Sequence, residues 1–246
     1  MKGVLLAGGT GSRLFPLTRI TNKHLLPIGD RPMISYGIEA LVTAGITELM
    51  VVTGGTHAGE FLRLLSNGRE FGLDLLVYGY QERAGGIAEA LGLAEHFADG
   101  EPVCVMLADN IFERTIAASV ERFAEQGTGS RLLFTEMEDP SHLQHLGVPE
   151  LDGDGRVVRI IEKPADPPSH YCVTGVYFYD ATVFDIISTL EPSGRGELEI
   201  TDVNNHFIEA GTMQYDVIGG FWGDAGESID AYYEVNDFVR ANGANR

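Results

Sequence analysis

The chain passes from the apolar run Leu5-Leu6-Ala7 straight into Gly8-Gly9-Thr10-Gly11-Ser12-Arg13. Glycines at such a place can take positive φ and bring backbone N–H groups close to an anion, which is how loops cradle phosphates. The loop lacks the Gly-Lys-Ser/Thr of a Walker A sequence, and the third glycine of a dinucleotide fingerprint would fall at Leu14. Glycine spacing alone therefore leaves a phosphate cradle and an ordinary turn equally open. Arg13 and Lys23 favour the cradle, because an arginine fork and a lysine point charge together suit a pyrophosphate or triphosphate. The bland alternative is two surface cations. Pro16 and Pro27 punctuate the segment around them too heavily for a long helix, so it is expected to wrap over the site.

The charge distribution supports a local anion site. The 246 residues carry a net charge of −19, with a pI of about 4.6. Such a field repels polyanions and anionic bilayers, which argues against nucleic-acid and membrane partners. Residues 1–35 nevertheless hold Lys2, Arg13, Arg19, Lys23 and Arg31 against Asp30 alone, a local charge of +4. Lysine is scarce: Lys2, Lys23 and Lys163 are the only three, and Lys2 reads as merely exposed. The first apolar run stops at Gly8, short of the roughly 7–15 apolar residues of a signal peptide, and no stretch approaches the ~18 of a membrane span. Cys104 and Cys172 lie in apolar runs with no CxxC spacing and read as buried thiols in a reducing cytoplasm.

A glycine loop needs a strand to launch it and walls to close it. Strand patterns at 3–7, 48–53, 73–80 and 103–107 alternate with helical patterns at 33–44, 59–65, 86–97 and 116–126, the signature of βαβ units and a mostly parallel sheet. Strand-like runs at 131–136, 157–162, 171–179 and 213–218 follow, with helices expected at 182–190, 199–210 and 228–242. Asp152-Gly153-Asp154-Gly155 signals a tight turn. No linker divides the chain, so one domain is expected, its later segments walling a site on the sheet.

Gly8-Gly9-Thr10-Gly11-Ser12-Arg13-Leu14, then Pro16-Leu17-Thr18 and Lys23-His24-Leu25-Leu26-Pro27, resembles the signature of the sugar-1-phosphate nucleotidylyltransferases. Asp109-Asn110-Ile111-Phe112, Ile161-Glu162-Lys163-Pro164, Val173-Thr174-Gly175-Val176-Tyr177-Phe178-Tyr179 and Arg195-Gly196-Glu197-Leu198-Glu199-Ile200-Thr201-Asp202 follow in the family's order. The last two blocks are similar to the glucose-1-phosphate thymidylyltransferase branch. The resemblance implies the nucleotide-diphospho-sugar transferase fold: a Rossmann-like, mostly parallel central sheet flanked by helices, with inserted antiparallel strands on the sugar-binding side. Residues 1–130 would bind the nucleotide, and 131–246 would supply the sugar side and the C-terminal helices.

The implied reaction is attack of a glucose-1-phosphate oxygen on the α-phosphorus of dTTP, releasing pyrophosphate and dTDP-glucose. Every participant is anionic, so positioning and cations matter more than a covalent residue. By resemblance the catalytic set is Arg13, Lys23, Asp109, Lys163 and Asp224, with Arg13 and Lys23 on the triphosphate. Leu6, Ala7, Gly8, Gly9, Gly11 and Asp109 would contact the nucleotide, while Gln81 and the backbone of Gly86 would read the pyrimidine. Gly147, Glu162, Lys163 and Val173 would bind the sugar phosphate. Asp109, just past a parallel strand's carboxyl end where such sheets bind ligands, and Asp224 would hold Mg²⁺, which takes one or two protein carboxylates plus phosphate oxygens and water.

Some positions depart from the family pattern: His24 stands where glutamine is usual, Leu146 where tyrosine precedes Gly147, and Ala108 where glycine precedes the metal-binding Asp. The stretch Arg83-Ala84-Gly85-Gly86-Ile87-Ala88-Glu89-Ala90 replaces a proline-rich approach and Leu-Ala-Gln-Ala. These changes are expected around base and sugar and not around the phosphates, so UTP or another sugar-1-phosphate remains the alternative. A non-catalytic nucleotide-sugar sensor would have lost members of the catalytic set, all of which are present, and a dinucleotide-dependent oxidoreductase rests on the glycine loop alone. The chain ends soon after the helix at 228–242 and resembles the short form, implying weak or absent feedback inhibition through a second site. A homo-oligomer, dimer or tetramer, is expected.

Overall fold

In the computed structural model, which describes residues 1–137 and 139–246, Lys2–Leu6 forms strand β1. Alternation along it sends Val4 and Leu6 to one face and Leu5 and Ala7 to the other, all four buried. A strand apolar on both faces belongs at the centre of a parallel sheet covered on both sides. The remaining strands are β2 (Pro27–Ile28), β3 (Arg31–Pro32), β4 (Glu48–Gly54), β5 (Leu75–Gln81), β6 (Val103–Leu107), β7 (Asn110–Phe112), β8 (Ser130–Glu136), β9 (Gly147–Leu151), β10 (Val157–Glu162), β11 (Tyr171–Tyr179), β12 (Met213–Val217) and β13 (Trp222–Asp224). The helices are α1 (Ile34–Thr43), α2 (Ala58–Leu65), α3 (Ile87–Gly92), α4 (Glu95–Ala98), α5 (Ala117–Gln126), α6 (Thr182–Thr189), α7 (Ile200–Glu209) and α8 (Ile229–Asn242).

Seven strands make the main sheet in the order β12-β8-β11-β6-β1-β4-β5. All neighbours are parallel except β11, which runs antiparallel between β6 and β8. Helices α1, α2 and α5 cover the Leu5 face, and α3, α6 and α7 cover the Val4 face. Three small antiparallel pairs stand apart from the sheet: β2 with β3, β7 with β13, and β9 with β10.

A third apolar cluster fastens the N-terminal wrap. Leu14, Leu26 and Ile28 pack with Tyr232 and Val235 of α8. The Tyr232 hydroxyl donates to the Pro27 carbonyl at 2.5 Å, and the Gly29 N–H donates to Asn236 Oδ1 at 2.9 Å. The last helix thus holds the segment that carries Arg13 and Lys23.

Several expectations change. The helix at 86–97 is two, α3 and α4, interrupted after Gly92, whose conformational freedom disfavours helix continuation. The turn at Asp152 closes a hairpin whose first strand, β9, carries no clear strand pattern in the sequence because Pro149 sits in its middle; a two-stranded ribbon can accommodate a residue with no donor. Lys2 is not merely exposed: its ammonium donates to the Phe97 carbonyl at 2.9 Å and lies 3.4 Å from Glu101. Cys104 and Cys172 are free and buried, and burial pushes both thiols up, Cys172 to about 12. Among the described residues no helix is long and apolar enough to cross a membrane.

Candidate active site

The carboxyl ends of β1, β5 and β6 open into a cleft of about 380 Å³. Every expected site residue lines it except Ala7 and Gly11. Ala7 is fully buried, its N–H spent on the Val52 carbonyl at 2.7 Å. Gly11 has φ +63°, and a Cβ there would stand 2.9 Å from Thr18 Cγ2 and 3.3 Å from Lys23 Cβ. Its glycine therefore lets the loop fold tightly behind Lys23. Gly8, Gly9 and Arg13 face the opening, Arg13 on the turn Ser12–Leu14.

The acidic wall is built by backbone pairing. Asp109 follows β6 by two residues, and β7 pairs with β13 so that Asp224 opposes Asn110 while the Ala225 N–H donates to the Asp109 carbonyl at 2.9 Å. This ladder joins residues more than a hundred positions apart and brings both carboxylates to one wall. The Lys23 ammonium pairs with Asp109 Oδ2. Burial opposes charge on both partners, but the pairing wins: Asp109 is held well below the usual carboxylate range, and Lys23 is raised by Asp109 and then Asp224. Asp224 is pushed up to about 7 by burial and by the neighbouring Asp109. The wall is short of positive charge.

Asn110 organises this wall and was not singled out in the sequence. Its Oδ1 accepts from the Gly175 N–H at 3.0 Å and Trp222 Nε1 at 2.7 Å, while its Nδ2 donates to Asp109 Oδ1 at 3.1 Å. Gly175 lies where the register of β11 against β8 shifts, and a Cβ on it would sit 2.7 Å from Asn110 Nδ2. No alternation or spacing could reveal a role that depends on three separate elements.

The opposite wall is the β9–β10 hairpin. Gly147 and Glu162 pair across it, and Lys163 follows with φ +48°, a left-handed backbone that costs a non-glycine residue of order 1 kcal/mol or more. Its N–H is fixed by the Leu146 carbonyl at 2.9 Å, and its ammonium stands in the cleft 3.4 Å from Glu162 Oε1. Glu162 also accepts from the Thr201 hydroxyl at 2.8 Å and lies 3.5 Å from Arg195. Arg195, quoted in a motif but given no role, lines the cleft and pairs with Glu199 at 2.8 Å.

At the third side, Gln81 ends β5 and Gly86 precedes α3. Gly86 has φ +98°, and a Cβ on it would overlap the backbone of Leu198. The Leu198 N–H donates to the Gly85 carbonyl at 2.8 Å, and the Leu198 carbonyl accepts from the Ala88 N–H at 3.3 Å. The loop before α7 is thereby tied to the loop before α3.

Two departures from the family pattern adjoin Asp109. His24 is buried beside Lys23 and Asp109, its Nδ1 2.9 Å from Asn22 Oδ1 and its Nε2 4.0 Å from Asp109. Burial and then Lys23 push its pKa down to about 3, so it is a neutral brace beside Lys23. Ala108 is fully buried immediately before Asp109.

The raised Asp224 has a measurable consequence. A carboxyl whose folded pKa exceeds its unfolded value of about 4 favours folding at low pH and loses that contribution as pH rises toward the folded value. With no divalent cation added, ionised Asp224 opposes folding at pH 8. Asp224→Asn is therefore expected to raise the calorimetric Tm at pH 8 by a few °C, with the gain shrinking toward pH 5. An unchanged or lower Tm at pH 8 contradicts the crowding of the two acids.

A family model for nucleotidyl transferases matches residues 2–242. The chain is 43% identical over 243 residues to a glucose-1-phosphate thymidylyltransferase of an Actinoplanes species, covering 98% of this chain and 78% of the relative. A Bacillus anthracis protein assigned as a glucose-1-phosphate thymidylyltransferase, with a crystal structure in complex with a sucrose, superimposes with a TM-score of 0.91 at 44% identity over 98% of this chain and 95% of that one. A UDP-glucose pyrophosphorylase solved with UDP-glucose shares the fold, with a TM-score of 0.82 at 24% identity over 98% of each chain. Since the match runs through the glycine loop, both walls of the cleft and the clamping helix α8, the chain belongs to the nucleotidyl transferase family.

Proposed function

We propose that this chain transfers the thymidylyl group of dTTP to glucose-1-phosphate, forming dTDP-glucose and pyrophosphate. The observation that carries the reading is the placement of cations: Arg13 and Lys23 beside the glycine loop, Lys163 on the facing hairpin, all lining one cleft. Two phosphate groups could meet between them. The likeness to a named thymidylyltransferase at 43% identity supports the donor and the sugar.

In this reading Gly8, Gly9 and Arg13 hold the triphosphate and Lys163 holds the sugar phosphate, so that its oxygen faces the α-phosphorus opposite the pyrophosphate leaving group. The attacking oxygen is already an anion, so no general base is required. One P–O bond forms at the α-phosphorus and one breaks toward the β-phosphate. Lys23, Arg13 and backbone N–H groups offset the charge that accumulates on the leaving pyrophosphate. Residues 1–130 handle the nucleotide and 131–246 the sugar, with Asp224 and Leu198 crossing from the second part to complete the first.

Magnesium fits the acidic wall. Asp109 and Asp224 are hard oxygen donors, and Asp224, raised by burial and then by the Asp109 charge, would be held ionised by a cation between them. Gly226 keeps space open beside them, since a Cβ there would collide with Asp109 Oδ2 and stand 2.6 Å from Lys23 Nζ. No cluster of three or more His, Cys, Asp or Glu stands ready as an all-protein cage among the described residues, so phosphate oxygens and water would complete the coordination. When bound, the ion would supply charge neutralisation at the α-phosphate.

The test is a panel of dTTP, UTP, dCTP and ATP against several sugar-1-phosphates, read by pyrophosphate release with Mg²⁺. The expected result is fastest release with dTTP and glucose-1-phosphate. Release that ignores the sugar phosphate, or no release with any pair, overturns the reading.

A further inference from the structure

The side-chain amide of Gln81 is not free to choose its orientation. Its Nε2 donates to Glu89 Oε1 at 3.1 Å and to the Gly86 carbonyl at 3.2 Å. Both partners are acceptors only, one of them an anion, so a flipped amide would set its carbonyl oxygen against two acceptors. Glu89 is itself held. Its second oxygen accepts from Arg83 Nε at 3.2 Å and Nη2 at 2.9 Å, and its carboxylate lies against Gly85, where a Cβ would overlap it. Gln81 is buried in the lining of the cleft, and its Oε1 lies toward the glycine loop, 3.2 Å from where a Cβ on Gly8 would be.

We propose that Glu89 is a positioning residue for base selection: by claiming the amide nitrogen of Gln81, it fixes the Gln81 carbonyl oxygen as an acceptor for the ring N–H of a thymine or uracil. This rests on the reading of Gln81 as the residue that contacts the base. A pyrimidine imide offers a donor at N3, whereas cytosine offers a lone pair there and would face the fixed oxygen acceptor to acceptor. Selection against cytosine then comes from an amide that cannot turn over to suit it. Arg83 and Gly85 act one step further out, by aiming and seating the carboxylate.

The experiment compares kcat/KM for dTTP and dCTP at saturating glucose-1-phosphate in the wild type, Glu89→Leu, Glu89→Gln and Arg83→Met. In Glu89→Leu the dTTP to dCTP ratio is expected to narrow by about tenfold or more, with the loss on dTTP appearing mainly in KM. Glu89→Gln, whose carbonyl can still accept from Gln81, is expected to restore most of the ratio. Arg83→Met changes an exposed side chain that the core does not need, and it is expected to narrow the ratio in the same direction by about two- to threefold. A wild type that turns over neither dTTP nor UTP would overturn the reading of the site itself. A wild type that uses dTTP, with Glu89→Leu and Arg83→Met discriminating as it does, would overturn the role of Glu89 alone.

Discussion

Asp109→Asn is expected to lower kcat/KM for dTTP and glucose-1-phosphate by about a thousandfold or more, the upper range for removing one electrostatic group from a reaction centre. The loss should be the same with every sugar-1-phosphate, because in the proposed reading Asp109, paired with Lys23, serves the triphosphate. It is the partner of Lys23, the neighbour of the neutral His24 and the residue that Asn110 steadies at 3.1 Å. Stability should move in the opposite sense from the Asp224 variant. Removing one member of a buried ion pair leaves the other unpaired, at a cost of up to about 3–5 kcal/mol, reduced here because Asp224 is near enough to share the Lys23 charge. With Asp109 neutralised, Lys23 keeps an acceptor but loses its paired anion, so Tm should fall; with Asp224 neutralised, Lys23 keeps that anion and the acids no longer repel, so Tm should rise. Two variants equally inactive and oppositely stable would separate the pair's shared chemistry from its unequal roles. Steady-state kinetics with Mg²⁺, and calorimetry without added metal, on the two proteins check this, and equal shifts of Tm in one direction would contradict it.

Lys163→Ala should raise the KM for glucose-1-phosphate by about 10- to 100-fold, the value of one or two charge-assisted hydrogen bonds to a phosphate. The KM for dTTP should change little. The asymmetry follows from position: Lys163 extends from the β9–β10 hairpin and contacts Glu162, across the cleft from the glycine loop. Its left-handed backbone is held by the hairpin through the Leu146 carbonyl, so truncation of the side chain should leave the wall in place. Initial rates with each substrate varied at saturating levels of the other decide the matter. An equal rise in both KM values would place Lys163 on the triphosphate instead.

Much of this was legible in the residues. The apolar β1, its immediate turn into glycine, and the strand–helix alternation through residue 126 require only local periodicity, and the structure follows them closely. The scarcity of lysine pointed to Lys23 and Lys163, both of which line the cleft. What stayed hidden depends on distant contacts. The β7–β13 ladder consists of three-residue strands, too short to show any period, yet it alone sets Asp224 beside Asp109. Asn110 looks like any polar residue after an Asp until Gly175 and Trp222 arrive to bond it. His24 is expected near base and sugar, and only the folded chain shows it buried between Asn22 and Asp109, beside Lys23. Lys2 read as exposed because the carbonyl that receives its ammonium, Phe97, lies some ninety positions away. Glu89 was noted as a departure, but its meaning appears only when Gln81 and Arg83 close around it.

The claim at the centre is that a sugar phosphate oxygen attacks the α-phosphorus while pyrophosphate leaves. Glucose-1-phosphate labelled with ¹⁸O in its phosphate, incubated with unlabelled dTTP, Mg²⁺ and the protein, tests it in a single mass-spectrometric measurement of products. All of the label should remain in dTDP-glucose, and the pyrophosphate should carry none. Label in pyrophosphate, or pyrophosphate formed with no nucleotide sugar beside it, would contradict the account.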